Sequence, residues 1–402
     1  MSDDVHADRV NLILNVDAIT SPLTGIGRYA LHLALGVQQN RAIGDVRYFS
    51  AYKWIADPGH ALQANRGVAA LRRYVPAKTL AMRAYFAVRQ RVFARLARRF
   101  DDYVLHSPNY LLFEHGGPRV CTVHDLSWLH YPDYHPKERV RIMDRRMPRT
   151  LEIADAVITD SEFVRRETIA KFALDPARVH AIALGIDDAF KPRGEDETRG
   201  ALSSLGVRHG SYLLALATLE PRKNLGRLLD AYELLDAKLR QRYPLVIAGA
   251  TGWHAHRLVE RVDALVARGE ALRLGFVSED LLPQLIAGAR ALAFPSIYEG
   301  FGLPPLEAMA SGVPVVASSA SSIPEVTGDV ALLVSPDDTT ELKIALEKAL
   351  TDEAWRRAAS AGGVERARQF SWQRCVDETV QIYRQVAAGK STTGAAMKAA
   401  AR

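Results

Sequence analysis

The sequence predicts an α/β protein of two Rossmann-like domains, each a parallel sheet covered by helices. Short apolar, β-branched strands bounded by Gly and Pro alternate with helical patterns, and the alternation runs once through each half. At 402 residues the chain has length for two domains of ordinary size. A polar, Gly-containing stretch, KPRGEDETRGALSSLGVR, separates the halves. The boundaries that follow are 1–190 for an N-terminal domain, 191–208 for a linker and 209–370 for a C-terminal domain. A final helix over 371–388 and a flexible tail over 389–402 complete the chain.

Hydrophobic residues at 48% and charged residues at 24% suit a globular protein with real cores. Cys121 and Cys375 stand far apart without CxxC or Cys-His spacing, so neither a disulfide framework nor a zinc site is expected, which fits a reducing cytoplasm. MSDDVHADRV is too acidic and polar for a secretory signal, and no apolar run of about 18 residues suggests a membrane span. The net charge of +6 leaves an anionic partner open.

In the first half, Asn11–Val16 is an apolar strand, Asp17–Thr24 a loop, and Gly25-Ile26-Gly27-Arg28-Tyr29 leads into a helical pattern through about Val37. Strand, Gly-rich turn and helix open a Rossmann-like unit, although two glycines also serve a tight turn. Between Arg66 and Phe100 ten Arg and Lys residues occur with no acidic residue. Met82, Tyr85, Phe86, Val92, Phe93, Leu96 and Phe100 recur there at helical spacing. This segment is either a core-packed helix with a solvated basic face or a surface for anionic lipid headgroups or a lipid-diphosphate acceptor. Nucleic acid is not expected, since no recognisable binding module accompanies the charge. Val104–Leu105 runs into His106-Ser107-Pro108-Asn109, and Pro118–Val123 ends at His124-Asp125. Ligands in parallel sheets sit beyond strand carboxyl ends, which favours function for His124 and Asp125, though a strand-end His is also an ordinary structural residue. Ile153–Asp160 is the next strand, with Ser161 as N-cap of a helix, and Val179–Leu184 follows.

The second half opens with strand Tyr212–Thr218, then Glu220-Pro221-Arg222-Lys223-Asn224 and a helix from Leu225. Adjacent Arg222 and Lys223 at a strand end fit a diphosphate, the fork of one and the point charge of the other gripping oxygens, or form a solvated surface pair. Glu220 and Asn224 read as structural. Strands Leu245–Gly249 and Leu272–Val277 and a helix Leu281–Ala289 precede FPSIYEGFGLPPLEAMASGVPVVAS. In that stretch Ala291–Phe294 and Val313–Ala317 flank a Gly-rich loop and a short helix with Pro304 and Pro305 at its entrance and Gly312 at its stop. Free N–H groups around Phe301-Gly302-Leu303 suit an anion. Glu299 and Glu307, eight positions apart, can read sugar or ribose hydroxyls. A surface turn with a capping Glu is the plainer use of such a loop.

The whole string resembles the Glu-x7-Glu signature of retaining glycosyltransferases of the GT-B fold, glycosyltransferase family 4-like, which include many lipopolysaccharide and capsule mannosyl- and glucosyltransferases. GIGRY, VHDL and LATLEPRKN match the family in the expected order, and the resemblance spans about residues 10–388. It implies two Rossmann-like domains facing a central cleft, with the C-terminal helix crossing back to the first. It further implies a nucleotide-sugar donor bound mainly by the second domain. Arg222, Lys223 and the Phe301-Gly302-Leu303 amides take the diphosphate, Gly25 and Gly27 approach it, Glu307 holds the ribose, Glu299 the donor sugar, and the loop at Val277 the base. His124 sits near the reacting carbon, Arg28 and Tyr29 serve the acceptor, and Asp125 either orients that imidazole or joins the acceptor contacts. The catalytic set is then His124, Glu299, Arg222 and Lys223, with no cofactor and no metal. GDP-mannose is the favoured donor and a UDP-sugar the alternative. The expected acceptor is a saccharide, lipid-diphosphate-linked, at the inner face of the cytoplasmic membrane, with the protein peripheral there through Arg66–Arg99. Sugar-nucleotide epimerase or phosphorylase chemistry and a non-catalytic membrane scaffold are the other classes left open.

Overall fold

The computed structural model describes residues 9–61, 79–250, 252 and 256–400. The chain divides into two compact units, one of Met1–Leu126, Lys137–Gly185 and Trp372–Arg402, the other of Ser127–Pro136 and Ile186–Ser371.

Among the described residues the first unit holds β1 (Val10–Asn15), β2 (Ile43–Ser50), β3 (Lys53–Ile55), β4 (Val104–Ser107), β5 (Arg119–Val123), β6 (Ala156–Thr159) and β7 (Val179–Ala181). They form one sheet in the order β3-β2-β1-β4-β5-β6-β7. Every pairing is parallel except the edge hairpin of β2 with β3. Strands β4 and β6 are buried along their whole length, as parallel strands covered on both faces must be. The helix Thr79–Ala97 lies on this sheet. Its Phe93 and Ala97 join Ile13, Phe49, Leu105 and Phe113 in one core cluster. Complete burial of a Phe side chain such as Phe93 stabilises the fold by about 2 kcal/mol.

The second unit holds β8 (Leu213–Leu216), β9 (Leu245–Ala248), β10 (Ala271–Gly275), β11 (Ala291–Phe294), β12 (Val315–Ser318) and β13 (Leu332–Val334). All pair in parallel, in the order β10-β9-β8-β11-β12-β13. The strand order reverses direction at β1/β4 in the first sheet and at β8/β11 in the second. Such switch points open a crevice at the carboxyl ends of the strands.

Several expectations change. The Gly25–Gly27 turn is the first turn of the helix Gly25–Gln39, capped by Thr24, whose hydroxyl accepts from the Gly27 amide at 3.1 Å. Gly27 is needed for space, since a Cβ there would meet the Ala18 carbonyl at 2.9 Å. The expected linker contains the helix Glu195–Ser204, with the Glu197 carboxylate accepting from the Gly194 amide and Thr198 and Leu202 buried. Arg89 leaves the solvated basic face. It is buried on an ion pair with Asp17, donates to the Ala51 carbonyl at 3.1 Å and lies over the Phe49 and Phe113 rings. Of the basic segment Arg66–Arg99, positions 66–78 and the side chains of 79–83 lie outside the described residues. The C-terminal helix runs from Trp372 to Ala400, past its expected end near Ala388. It belongs to the first unit, where His32 and Trp372 stack at 4.3 Å and Val376 fills the space beside Gly36. No helix among the described residues is long and apolar enough to cross a membrane.

Candidate functional site

In the second unit the loops leaving β8 and β11 meet at the switch point. Pro221–Lys223 forms a single 3-10 turn that ends at Asn224, held in the left-handed region at φ 56°. The Asn224 amide donates to the Pro295 carbonyl at 3.1 Å and the Pro336 carbonyl at 2.7 Å, tying the β8 loop to the β11 loop. Arg222 donates to the Tyr298 carbonyl at 2.7 Å, to Glu299 at 3.1 Å and to Glu220 at 3.0 Å. Lys223 donates to the other Glu299 oxygen at 2.7 Å. The four charges are nearly buried and balance, two cations against two carboxylates.

Burial opposes ionisation of Glu299, but Lys223 and Arg222 outweigh it and hold the carboxyl below the usual carboxylate range. Burial, reinforced by Arg222, also lowers the Lys223 ammonium, with Glu299 opposing. The Glu299 shift follows from two cations sharing one carboxylate, and the Lys223 shift chiefly from burial. The glutamate expected to hold a sugar is thus, in this conformation, the counter-ion of the expected phosphate ligands.

Past Glu299 the chain is braced by Ser322, whose hydroxyl donates to the Phe301 carbonyl at 2.7 Å and lies 2.9 Å from the Glu299 carbonyl. Gly302 takes φ 123°, where a Cβ would also strike Ile323 at 2.8 Å. The helix Leu303–Ala310 follows, its two prolines in the first turn. It stops as expected at Gly312, φ 72°, with Gly312 N donating to Met309 O at 3.0 Å and Val313 N to Ala308 O at 2.9 Å. Phe301 is buried edge-on against Phe370, and Glu307 is 3% exposed within this helix. Val277 lies past β10, at the sheet edge beyond β9.

In the first unit His124 and Asp160 follow β5 and β6 in register, because Val123 pairs with Thr159. The imidazole Nδ1 is 2.7 Å from Asp160 and Nε2 donates to the Pro108 carbonyl at 2.9 Å. Burial disfavours the imidazolium, but Asp160 and the Pro108 carbonyl overcome it and raise the pKa of His124. Asp160, rather than Asp125, orients the ring. Tyr29 is 1% exposed, edge-on to His124 at 5.3 Å, with its hydroxyl on Thr122 at 2.9 Å. Tyr29 thus packs beneath His124, with its hydroxyl engaged inside the first unit. Gly25 and Arg28 flank it on the same helix. Thr122 also meets His106 Nε2 at 2.9 Å, and His106 Nδ1 meets the Tyr383 hydroxyl at 2.6 Å, so a buried polar chain joins the C-terminal helix to β4, β5 and the helix Gly25–Gln39.

Two parallel-sheet units with crevices at their switch points define the GT-B class of fold. Sucrose-phosphate synthase of Thermosynechococcus elongatus shares it, with a TM-score of 0.72 at 23% identity over 95% of this chain and 100% of that one. The model for glycosyl transferases group 1 matches residues 208–366, and that for glycosyltransferase family 4 matches 23–190. The chain is 37% identical over 383 residues to O-antigen chain mannosyltransferase B of Escherichia coli, covering 93% of this chain and 100% of that protein. It is 30% identical over 335 residues to the MMP alpha-(1->4)-mannosyltransferase of Mycolicibacterium hassiacum, covering 76% and 74%. The chain belongs to this family of GT-B glycosyltransferases.

Proposed function

We propose that the protein transfers mannose from GDP-mannose to a saccharide acceptor, lipid-diphosphate-linked, in surface polysaccharide synthesis, with retention of configuration and without a metal. The observation that carries this reading is the meeting of Arg222, Lys223 and Glu299 at the carboxyl ends of β8 and β11. The sugar is chosen from the names of the two mannosyltransferase relatives.

Departure of a nucleoside diphosphate places negative charge on its β-phosphate. Arg222 and Lys223, with the amides at Gly302 and Leu303, are the groups to receive it, and fixed charges in a dry site stabilise such a state strongly. Each cation now rests on Glu299, so donor binding exchanges carboxylate contacts for phosphate contacts and frees Glu299 for sugar hydroxyls. Glu307 takes the ribose. His124, with both ring nitrogens engaged, acts as a placed polar ring near the reacting sugar, since proton transfer by it requires breaking the bond to Asp160 or Pro108. Arg28 and Asp125 remain the acceptor candidates.

The test is thermal unfolding with GDP, UDP, ADP and dTDP, with and without EDTA, beside Glu307→Ala, followed by product analysis with GDP-mannose. A nucleotide at a hundred times its dissociation constant adds about 2.7 kcal/mol. Stabilisation by GDP that EDTA leaves intact and Glu307→Ala weakens is expected. A UDP response keeps the site and replaces the donor. No response at millimolar nucleotide refutes the donor site.

A further inference from the structure

A cavity of about 780 Å³ lies in the first unit between the helices Thr79–Ala97 and Lys137–Ile153, apart from the donor-site residues assigned above, with Phe86 and Gln90 drawn from the basic segment expected to meet lipid. That volume is far more than a lone phosphate fills and falls within the usual small-molecule range of about 300–1,000 Å³. Its floor is apolar, formed by Phe86, Leu111, Leu112, Ile142 and Ile153. Its wall is cationic, because Arg141, Arg145 and Arg149 follow one another at spacings of four along one helix and Arg146, three before Arg149, borders the cavity beside them.

These arginines are not equally matched. Arg149 is paired with Glu114 at 3.2 Å and Glu152 at 2.9 Å. Arg141, Arg145 and Arg146 form no ion pair among the described residues, although exposed Glu138 and Asp144 also border the cavity. Arg146 is half-buried, with its guanidinium carbon 3.8 Å from the Phe86 ring centroid. Burial, with the like charge of Arg145, lowers its pKa, as befits a cation short of a counter-charge. An aromatic face compensates such a cation only in part.

We propose that this cavity binds the phosphate end of a lipid, the anionic head at Arg145 and Arg146 and the first carbons of the chain on Phe86, Leu112 and Ile142. The apolar floor argues for a lipid-borne phosphate over a free one, since an inorganic ion would leave it uncovered. The inference stands apart from the donor chemistry and can fail without touching it.

The experiment is isothermal titration of the full chain with octyl phosphate below its micelle concentration, with inorganic phosphate and with uncharged octyl glucoside. Octyl phosphate is expected to bind at least about tenfold more tightly than inorganic phosphate, with octyl glucoside inert. Arg145→Ala with Arg146→Ala is expected to weaken octyl phosphate at least about tenfold while leaving nucleotide stabilisation unchanged. Equal affinity for inorganic phosphate overturns the proposal, as does absence of octyl phosphate binding or indifference to the double variant. Should that variant fail to fold, hydrogen exchange of the unaltered chain decides. Octyl phosphate protection confined to the two helices supports the site, and protection elsewhere or none overturns it.

Discussion

His106 should make the first unit acid-sensitive in a measurable way. It is fully buried between two hydroxyls, Tyr383 and Thr122, with no carboxylate among the described residues bonded to it, and burial, with some help from His124, brings its pKa down to about 3. In the unfolded chain a histidine titrates near 6.5. Between those values the unfolded chain binds a proton that the folded chain refuses, so stability is full above about pH 6.5 and declines as pH falls toward 3. The slope approaches about 1.4 kcal/mol per pH unit, and lowering the pH from 7 to 5 removes about 2 kcal/mol. His124 shifts in the opposite direction, so only comparison with His106→Asn isolates the effect. The assay is urea unfolding at pH 7 and 5, read by a brief protease pulse with fragments of the first unit quantified. His106→Asn is expected to be less stable at pH 7 yet to lose about 2 kcal/mol less than the unaltered protein on acidification. Equal losses in both proteins would refute the reasoning.

Other expectations concern the second unit and the His124 pair. Glu299→Gln leaves Arg222 and Lys223 sharing no carboxylate and should destabilise the second unit by about 3 kcal/mol in thermal unfolding. The folded pKa of Glu299 is depressed, so its contribution is present above pH about 4.5 and lost as pH falls through the folded value. The variant should therefore flatten the acid limb of the melting curve series. Asp160→Asn removes the charge that raises His124, and its imidazole should titrate at lower pH in an NMR titration. Gly302→Ala meets both a positive φ and the Ile323 side chain, and should cost about 2 kcal/mol in thermal unfolding and weaken GDP stabilisation. Gly312→Ala, strained by φ and by milder contacts than Gly302→Ala, should cost about 1 kcal/mol and leave GDP stabilisation unchanged.

Much of the second unit was legible because its signals are local. Apolar runs between Gly and Pro set β8, β9 and β11, two prolines mark the entrance of the helix Leu303–Ala310, and Gly312 marks its end. Strand-end position drew attention to Arg222 and Lys223, and the spacing from Glu307 drew it to Glu299. The fold then brings the three into contact across 76 or more positions of sequence. Longer-range facts were hidden. Asp160 becomes the partner of His124 only through the β5–β6 register, which no single sequence prints, although a polar residue ending each strand was the available clue. Arg89 sat in a run of cations without acids, and its counter-ion Asp17 lies 72 positions earlier. The polar composition over 191–208 concealed the spacing of Thr198 and Leu202 that makes a helix. Strands β2 and β3 went unread because β2 mixes Gly, Asp and Arg with its apolar positions and β3 is a three-residue edge.

The helix from Trp372 bears on how the protein emerges from the ribosome. The first unit starts before the second but lacks the partner of His106, the Tyr383 hydroxyl, until the second unit has been made. The second unit has all its own strands by Val334. Synthesis at about 5–20 residues per second therefore leaves the earlier-made half waiting several seconds or more for its last helix. During that wait the face of Gly36 that Val376 covers is open to solvent or to a chaperone. A chain stopped at Ser371 would prolong that state indefinitely, so premature termination should yield a folded second unit carrying an unfinished, aggregation-prone first one.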